Sequence, residues 1–498
     1  METQRVQVAV IGSGFGGLTA AALLAKTGMQ VAVLEQNNYP GGCASSYKRK
    51  GYWFETGATT LVGLDEDMPV RYLLEKTGMQ LPLLKLETPM QVRLTDGTLI
   101  TRYPKLEDWI QEAERVFGKQ GQRQFWEACF EISQKVWRTS LQQVSFPFGS
   151  ISDLWQAAKS VKVEQLSLVP LAFQNMKDFM TTHGLLQNER FVSFVDQQLL
   201  ITAQNVHPEV NVLFGATALC YTLYGNYYVP GGLRQLGKSV ASYLEEQGSQ
   251  MMYRRLVKQI TPVSEGGYQI DTDKGLVQAE YIIFGLPLNN VSSLFNDLKT
   301  KQSLQKYLLP ADQVNGAVTW GIVFERSTST PTVLHHQLHV PGGVPYIQSE
   351  SVFVSLSHPE DELRAPDGMC VASVSTHVLH PKKNWIEQKK VLEQWAVKFL
   401  AGQGFFKEAQ VKFVQAATPG AWIEWTGREW GQVGGYPQYQ RIKPWQMKDA
   451  RLDGRKAYLC GDTVYPGQGI PGVCLSGIIA ANKLLRDHFK EGLERLHH

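Results

Sequence analysis

The run Val6-Gln7-Val8-Ala9-Val10-Ile11, delivered straight into Gly12-Ser13-Gly14-Phe15-Gly16-Gly17, decides how the rest of the chain is read. It has the form of a strand, a glycine turn and the start of a helix. Gly12 permits the tight turn, Gly14 lets the backbone approach a pyrophosphate as Phe15 enters the helix, and Gly17 lets the helix pack closely on the strand. A helix start of this kind meets phosphates with unpaired N–H groups and the positive end of its dipole. The helix is expected over 18–25, with Gly28 as its stop. A second apolar run over 30–34 ends at Glu35, whose carboxylate can accept hydrogen bonds from ribose hydroxyls and would repel a 2′-phosphate, which disfavours NADP. Strand, turn, helix and acidic residue together imply a dinucleotide cofactor and redox chemistry.

The 498 residues exceed one ordinary core and suggest two or three units. Lys plus Arg is 49 against Asp plus Glu 46, a formal charge of +3, so no large field gathers nucleic acid. The six cysteines, Cys43, Cys129, Cys220, Cys370, Cys460 and Cys474, show no C-x-x-C pair and no zinc-like spacing. They read as reduced thiols of a cytoplasmic protein, with small buried thiols preferred over redox roles for Cys43 and Cys460. His335, His336 and His339 have no carboxylate or cysteine placed with them, so no metal site is expected. No charged and apolar leader precedes the first strand and no stretch of about 18 apolar residues occurs, so neither secretion by a standard signal nor a membrane span is expected. The stretch Leu154 to Lys177, apolar with Lys159 and Lys162 interspersed, suits either a membrane interface or a docked solvated helix. Peripheral attachment to the inner membrane face stays open.

Further glycine turns, Gly41-Gly42-Cys43 and Gly51 to Gly57, follow Glu35 closely and suggest more backbone wrapped around the same ligand. A hairpin is expected over 91–103 around Asp96-Gly97. A helical region follows over 106–200, broken at Phe146-Pro147-Phe148-Gly149. Tyr227 to Gly232 leads into a helix whose Leu233, Leu236, Val240, Tyr243 and Leu244 share a face. Strands over 255–260 and 281–284 return to the nucleotide unit, and runs between Val318 and Val378 make a second sheet. Near the end, Lys456 to Asp462 reads as a strand, followed by Pro466-Gly467-Gln468-Gly469-Ile470-Pro471-Gly472 and a helix over 473–488. Gly467, Gly469 and Gly472 fit G-x-G-x-x-G, but no strand with an acidic end follows. This segment therefore reads as returning to the first site rather than forming a second one, with a helix start able to stabilise negative charge on a reduced flavin.

Gly12 to Gly17 with Glu35, Gly41-Gly42, Tyr228 to Gly232 and Gly461 to Gly472, in this order, resemble the phytoene desaturase family of FAD-dependent carotenoid and retinoid oxidoreductases. The similarity spans nearly the whole chain. It implies an α/β fold: a Rossmann-like FAD-binding domain interleaved with an α+β substrate domain and a helical lid. The expected pieces are 1–85, 227–300 and 441–498 for FAD, 86–226 for the lid and 301–440 for the substrate sheet. By position, the resemblance sets Glu35 at the adenosine ribose, Val257 beside the adenine, Asp462 at the ribityl-pyrophosphate region and Ile470 with Gly472 under the flavin, with Gly461 and Gly469 also among the cofactor-binding positions. Cys43 departs from the pattern, because many relatives have Arg or Lys after the paired glycines. Pro466 to Gly469 looks like the carotenoid isomerase and retinol saturase branch and Ile470 to Val473 like the desaturases; the mixture most resembles hydroxycarotenoid 3,4-desaturases.

The activity this implies is desaturation of a long acyclic polyene, hydroxylated or not, by hydride transfer to FAD, with an unspecified electron acceptor. A cis-trans isomerase or saturase using reduced FAD is the alternative, and an amine oxidase or a flavin-bearing carrier protein stand further off. Tyr227, Tyr228, Trp422, Trp425 and Trp430 are candidates for lining a polyene tunnel. No catalytic acid or base is identified; Glu55 is polar and near the cofactor wrap, with a structural role at least as well supported.

Overall fold

The computed structural model describes residues 3–263, 266–347, 349–379, 387–454 and 456–493. The N-terminal stretch folds as β1 (Gln4–Ile11), α1 (Phe15–Lys26) and β2 (Val31–Leu34). Val8 to Ile11 are buried on both faces, as a central strand of a parallel sheet must be. β2 lies parallel on one side of β1 and the strand Gly275–Phe284 parallel on the other. α1 begins at Phe15 rather than residue 18: Gly16 and Gly17 are helical, and their missing side chains let α1 press against its neighbours.

The cofactor sheet has seven strands, ordered Val257–Pro262, Tyr268–Thr272, Gly275–Phe284, β1, β2, Gln250–Met252, with Ala457–Leu459 off this path. Gly275–Phe284 pairs antiparallel with Tyr268–Thr272 over its first half and parallel with Ala457–Leu459 over 282–284. One edge thus carries two chain segments, and the C-terminal strand ends level with Ile11 and Leu34. The helix Ile470–Phe489 then crosses α1 so closely that a Cβ on Gly477 would lie 2.4 Å from the Gly16 carbonyl oxygen. It starts at Ile470, three residues before the expected point, because Gly469 at φ +86° leaves the helix and Pro471 costs no hydrogen bond in a first turn.

The second sheet also has seven strands, in the order Val411–Ala417, Asn315–Glu325, Met369–Leu379, Ser351–Leu356, His335–His339, Met90–Arg93, Leu99–Arg102. The expected hairpin over 91–103 forms its last two strands, joined parallel to His335–His339. Helices Leu106–Phe117 and Gln122–Gln142 precede the break at 146–149, and further helices, among them Glu189–Thr202 and Val212–Leu219, follow it. They bury Trp109, Phe125, Trp126, Phe191 and Phe194 around Arg102, whose guanidinium lies 4.2 Å from the Trp109 ring centre and donates to Gln198 and the Leu219 carbonyl. The fold is α/β, a Rossmann-like cofactor sheet interleaved with an α+β region and a helical layer.

Candidate functional site

α1 and the helix Ile470–Phe489 both begin at glycines, Gly14 and Gly469, with no side chain capping their first N–H groups. Two sets of orphan donors and two positive dipole ends therefore open at one place. Gly41 joins Gly14 in an isolated bridge and donates its N–H to the Ser13 carbonyl at 2.9 Å. Gly42, at φ +57°, comes so near that a Cβ there would lie 3.0 Å from the Gly14 Cα. At the end of β2 the Glu35 carboxylate accepts the N–H groups of Ser13 at 2.9 Å and Asn37 at 2.8 Å, which fixes it beside the glycine turn.

From these helix starts a cavity of about 460 Å³ runs between the cofactor sheet, the second sheet and the helical layer. One wall carries Gly14, Phe15, Gly41, Cys43, Gly461, Asp462, Gly469, Ile470 and Gly472, and the helical layer contributes Trp137, Leu200, Ile201, Phe214 and Tyr221. The floor is a cross-strand row, Gln337, Phe353, Ser375 and Thr319, which register places opposite one another and so on one face. The next row brings His377 opposite Ala317, and Ala317 packs with Trp422, Val433 and Cys43, so this end of the floor borders the glycine cradle.

Ionisable groups are scarce along the lining. Asp462 is its one carboxylate among the described residues, and both its oxygens accept from the Arg428 guanidinium, at 2.9 and 2.8 Å. His377 is its one imidazole, and burial pushes it down to about 4, so it is neutral near pH 7. Burial likewise raises the Cys43 thiol, against the pull of Arg428.

Of the positions expected to hold the cofactor, five stand off the cavity wall. Gly12 forms the turn, Gly17 packs on Val10 and the Gly12 carbonyl, Gly42 backs Gly14, and Glu35 sits behind Ser13. Val257 opens a strand whose preceding Arg255 donates its backbone N–H to the Glu35 carbonyl, which sets it near the carboxylate end. The described residues fit an FAD: uncapped helix starts for the diphosphate, a carboxylate at the strand end, and glycines where a side chain would intrude.

Other candidates separate. Trp422 lines the cavity; Tyr227, Tyr228, Trp425 and Trp430 do not. Glu55 also lies away from it, in a buried cluster where it accepts from Ser46 and the Leu233 N–H and faces Arg364 at 3.5 Å, while Tyr228 donates to Asp361. Burial raises the Glu55 carboxyl in spite of Arg364. All six cysteines are free. His377 and Arg428 escaped the sequence reading. The period-two signal that would have put His377 on a cavity face is erased because Met369–Leu379 is largely buried on both faces.

Residues 15–485 match the family described as flavin containing amine oxidoreductase. The chloroplastic prolycopene isomerase of Daucus carota is 24% identical over 96% of this chain and 80% of its own length. The zeta-carotene-forming phytoene desaturase of Myxococcus xanthus is 22% identical over 97% of this chain and 94% of its own. Among solved structures, wild-type putrescine oxidase bound to putrescine shares the fold, with a TM-score of 0.63 and 14% identity over 97% of this chain and 100% of that one.

Proposed function

The chain belongs to the flavin containing amine oxidoreductase family, with FAD as its cofactor, and from that premise we propose that it desaturates a long, neutral polyene. The observation that carries this reading is the lining of the cavity: apolar and neutral side chains, with one carboxylate already committed to Arg428. An ammonium substrate would find no free counter-charge there, which counts against an amine. Similarity to a carotenoid desaturase and a carotenoid isomerase along nearly the whole chain supports the polyene.

FAD, when bound, would supply the hydride acceptor. Gly14, Gly41 and the start of helix Ile470–Phe489 would hold it, with Glu35 at the ribose and Asp462 beside the cradle. The floor row and the helical layer orient the extended chain and keep water from it. Loss of a hydride leaves a delocalised cation, and a proton must leave the neighbouring carbon for the new C=C bond to form. The neutral imidazole of His377, at the cradle end of the floor, is the basic group available to take it.

Ile151, Leu154, Trp155, Leu166, Val169 and Phe173 are more than half exposed on the helical layer, beside exposed Lys159, Lys162 and Lys177. No helix among the described residues is long and apolar enough to cross a membrane. This face suits docking on a lipid surface, where polyenes dissolve and from which the substrate would enter.

Isomerisation by the reduced cofactor is a second reading, favoured by Pro466-Gly467-Gln468-Gly469 and by the match to prolycopene isomerase. Anaerobic mixing of flavin-loaded protein with acyclic carotenoids in liposomes separates the two. Flavin bleaching with a product two hydrogens lighter is the expected result. An inert oxidised protein, together with a pre-reduced one that changes polyene geometry at constant mass, would replace desaturation by isomerisation.

A further inference from the structure

Arg428 is the one lysine or arginine among the described residues that line the cavity. It follows the helix Pro419–Thr426 and is 8% exposed. One terminal nitrogen donates to both oxygens of Asp462 and the other reaches the Cys43 sulfur at 3.6 Å, but the Nε–H, also buried, has no partner. Asp462 is thus matched on both oxygens, while the guanidinium keeps a buried, unused donor on the wall of the cavity, where a ligand can supply an acceptor.

Charge points the same way. FAD brings two phosphate charges into a site where Glu35 and Asp462 are already negative, and Arg428 cancels only one of these. The two helix starts add partial positive charge, about half a unit each. Arg428 is the one full cation on the described lining, so it is the group placed to share its charge between Asp462 and the cofactor. Cys43 follows the paired glycines that pack on Gly14, and it carries no charge to meet that need. Arg428 reaches the Cys43 side chain from 385 positions further along the chain.

We infer that Arg428 is a cofactor-binding cation: Asp462 fixes the plane of its guanidinium, and the free Nε–H edge is offered to negative charge on bound FAD. Two parts of FAD carry such charge, the diphosphate and the flavin ring once reduced, and both would be met by the same charge-assisted hydrogen bond.

The test compares wild type, Arg428→Gln, and the double variant Cys43→Arg with Arg428→Gln, which returns a cation to the same spot from the other chain segment. Each apoprotein is titrated with FAD and with riboflavin, and each flavin-loaded form is poised for its midpoint potential. Arg428→Gln is expected to weaken FAD binding at least tenfold, and the double variant to recover most of the loss. Unchanged riboflavin affinity would identify the diphosphate as the partner; an equal loss for both ligands, with a more negative potential, would identify the ring. FAD affinity within twofold of wild type together with an unshifted midpoint potential in Arg428→Gln would overturn the inference, as would a folded double variant that still fails to bind FAD. Failure of both variants to fold would also overturn it, by making Arg428 a purely structural partner of Asp462.

Discussion

Lowering the pH from 7 to 5 is expected to loosen the second sheet before the cofactor sheet. Four histidines lie in that sheet: His335, His336 and His339 on one strand, His377 on another. Burial holds His335 down to about 3 and the other three down to about 4, with His336 and Arg364 adding to the effect on His335 and Arg93 to that on His336. An imidazole in the unfolded chain titrates at about 6.5. Between the two values the unfolded state binds the extra protons, so stability is fully present above about pH 6.5 and is lost as pH falls below it. Each histidine then loses about 2 kcal/mol between pH 7 and 5, and the four together about 7 kcal/mol, at roughly 1.4 kcal/mol per proton per pH unit. That is comparable with the roughly 5–15 kcal/mol total stability of a folded protein.

Peptide-resolved hydrogen exchange, corrected for the pH dependence of intrinsic exchange, reads this directly. Protection in His335–His339 and Met369–Leu379 should fall steeply between pH 7 and 5 while β1 and α1 hold. His336 bonds the Val333 carbonyl through Nε2 at 2.8 Å. His336→Gln keeps a donor there and removes one titrating group, so it should remove about a quarter of the pH dependence, about 2 kcal/mol. Protection that falls no faster in the second sheet than in β1 would refute the reasoning.

Replacing His377 with Gln should slow polyene conversion about a hundredfold without changing FAD affinity, since general-base contributions run about 10²–10⁴-fold; rapid-mixing kinetics with equal rates would remove His377 from the mechanism. Gly477→Ala sets a methyl 2.4 Å from the Gly16 carbonyl oxygen, should cost about 1–3 kcal/mol and should make the protein shed FAD on gel filtration. Gly402→Ala, with nothing within 4 Å, is its control in the same thermal unfolding and FAD-retention assays and should leave both unchanged. Trp155→Glu, on a residue 67% exposed, should reduce co-flotation with anionic liposomes at least tenfold; undiminished flotation would move membrane docking to another face.

Parts of the fold that depend on neighbours in sequence were legible before the structure. The N-terminal strand, turn and helix needed only the order of apolar residues and glycines. The C-terminal strand was legible from its apolar run, and Ala457–Leu459 lies on the edge of Gly275–Phe284, a pairing set by the tertiary fold. Element ends were read less well where a glycine or proline was helical for a tertiary reason. Gly16 and Gly17 look like turn, yet they sit in α1, where the backbone of Val473 and Gly461 closes on Gly16 and Val10 and the Gly12 carbonyl close on Gly17.

Side chains on the cavity follow another rule. Leu200 and Ile201 come from the helical layer, Phe353 and His377 from the second sheet, and Arg428 from a loop beyond it, and each reaches the cavity only through strand register or helix packing. Residues 369–379 illustrate the limit: their strand is largely buried on both faces, so alternation carries no signal, and only its pairing with 315–325 sets His377 opposite Ala317. Glu55 shows the converse. It lies close in sequence to the cofactor wrap, with a structural role at least as well supported, and its carboxylate is engaged by Ser46, Leu233 and Arg364 in a buried cluster away from the cavity. A polar residue near a motif is therefore weak evidence of chemistry until its hydrogen bonds are counted, whereas a buried donor without an acceptor gains meaning when it also lies on a cavity wall, as Arg428 does and Arg102 does not.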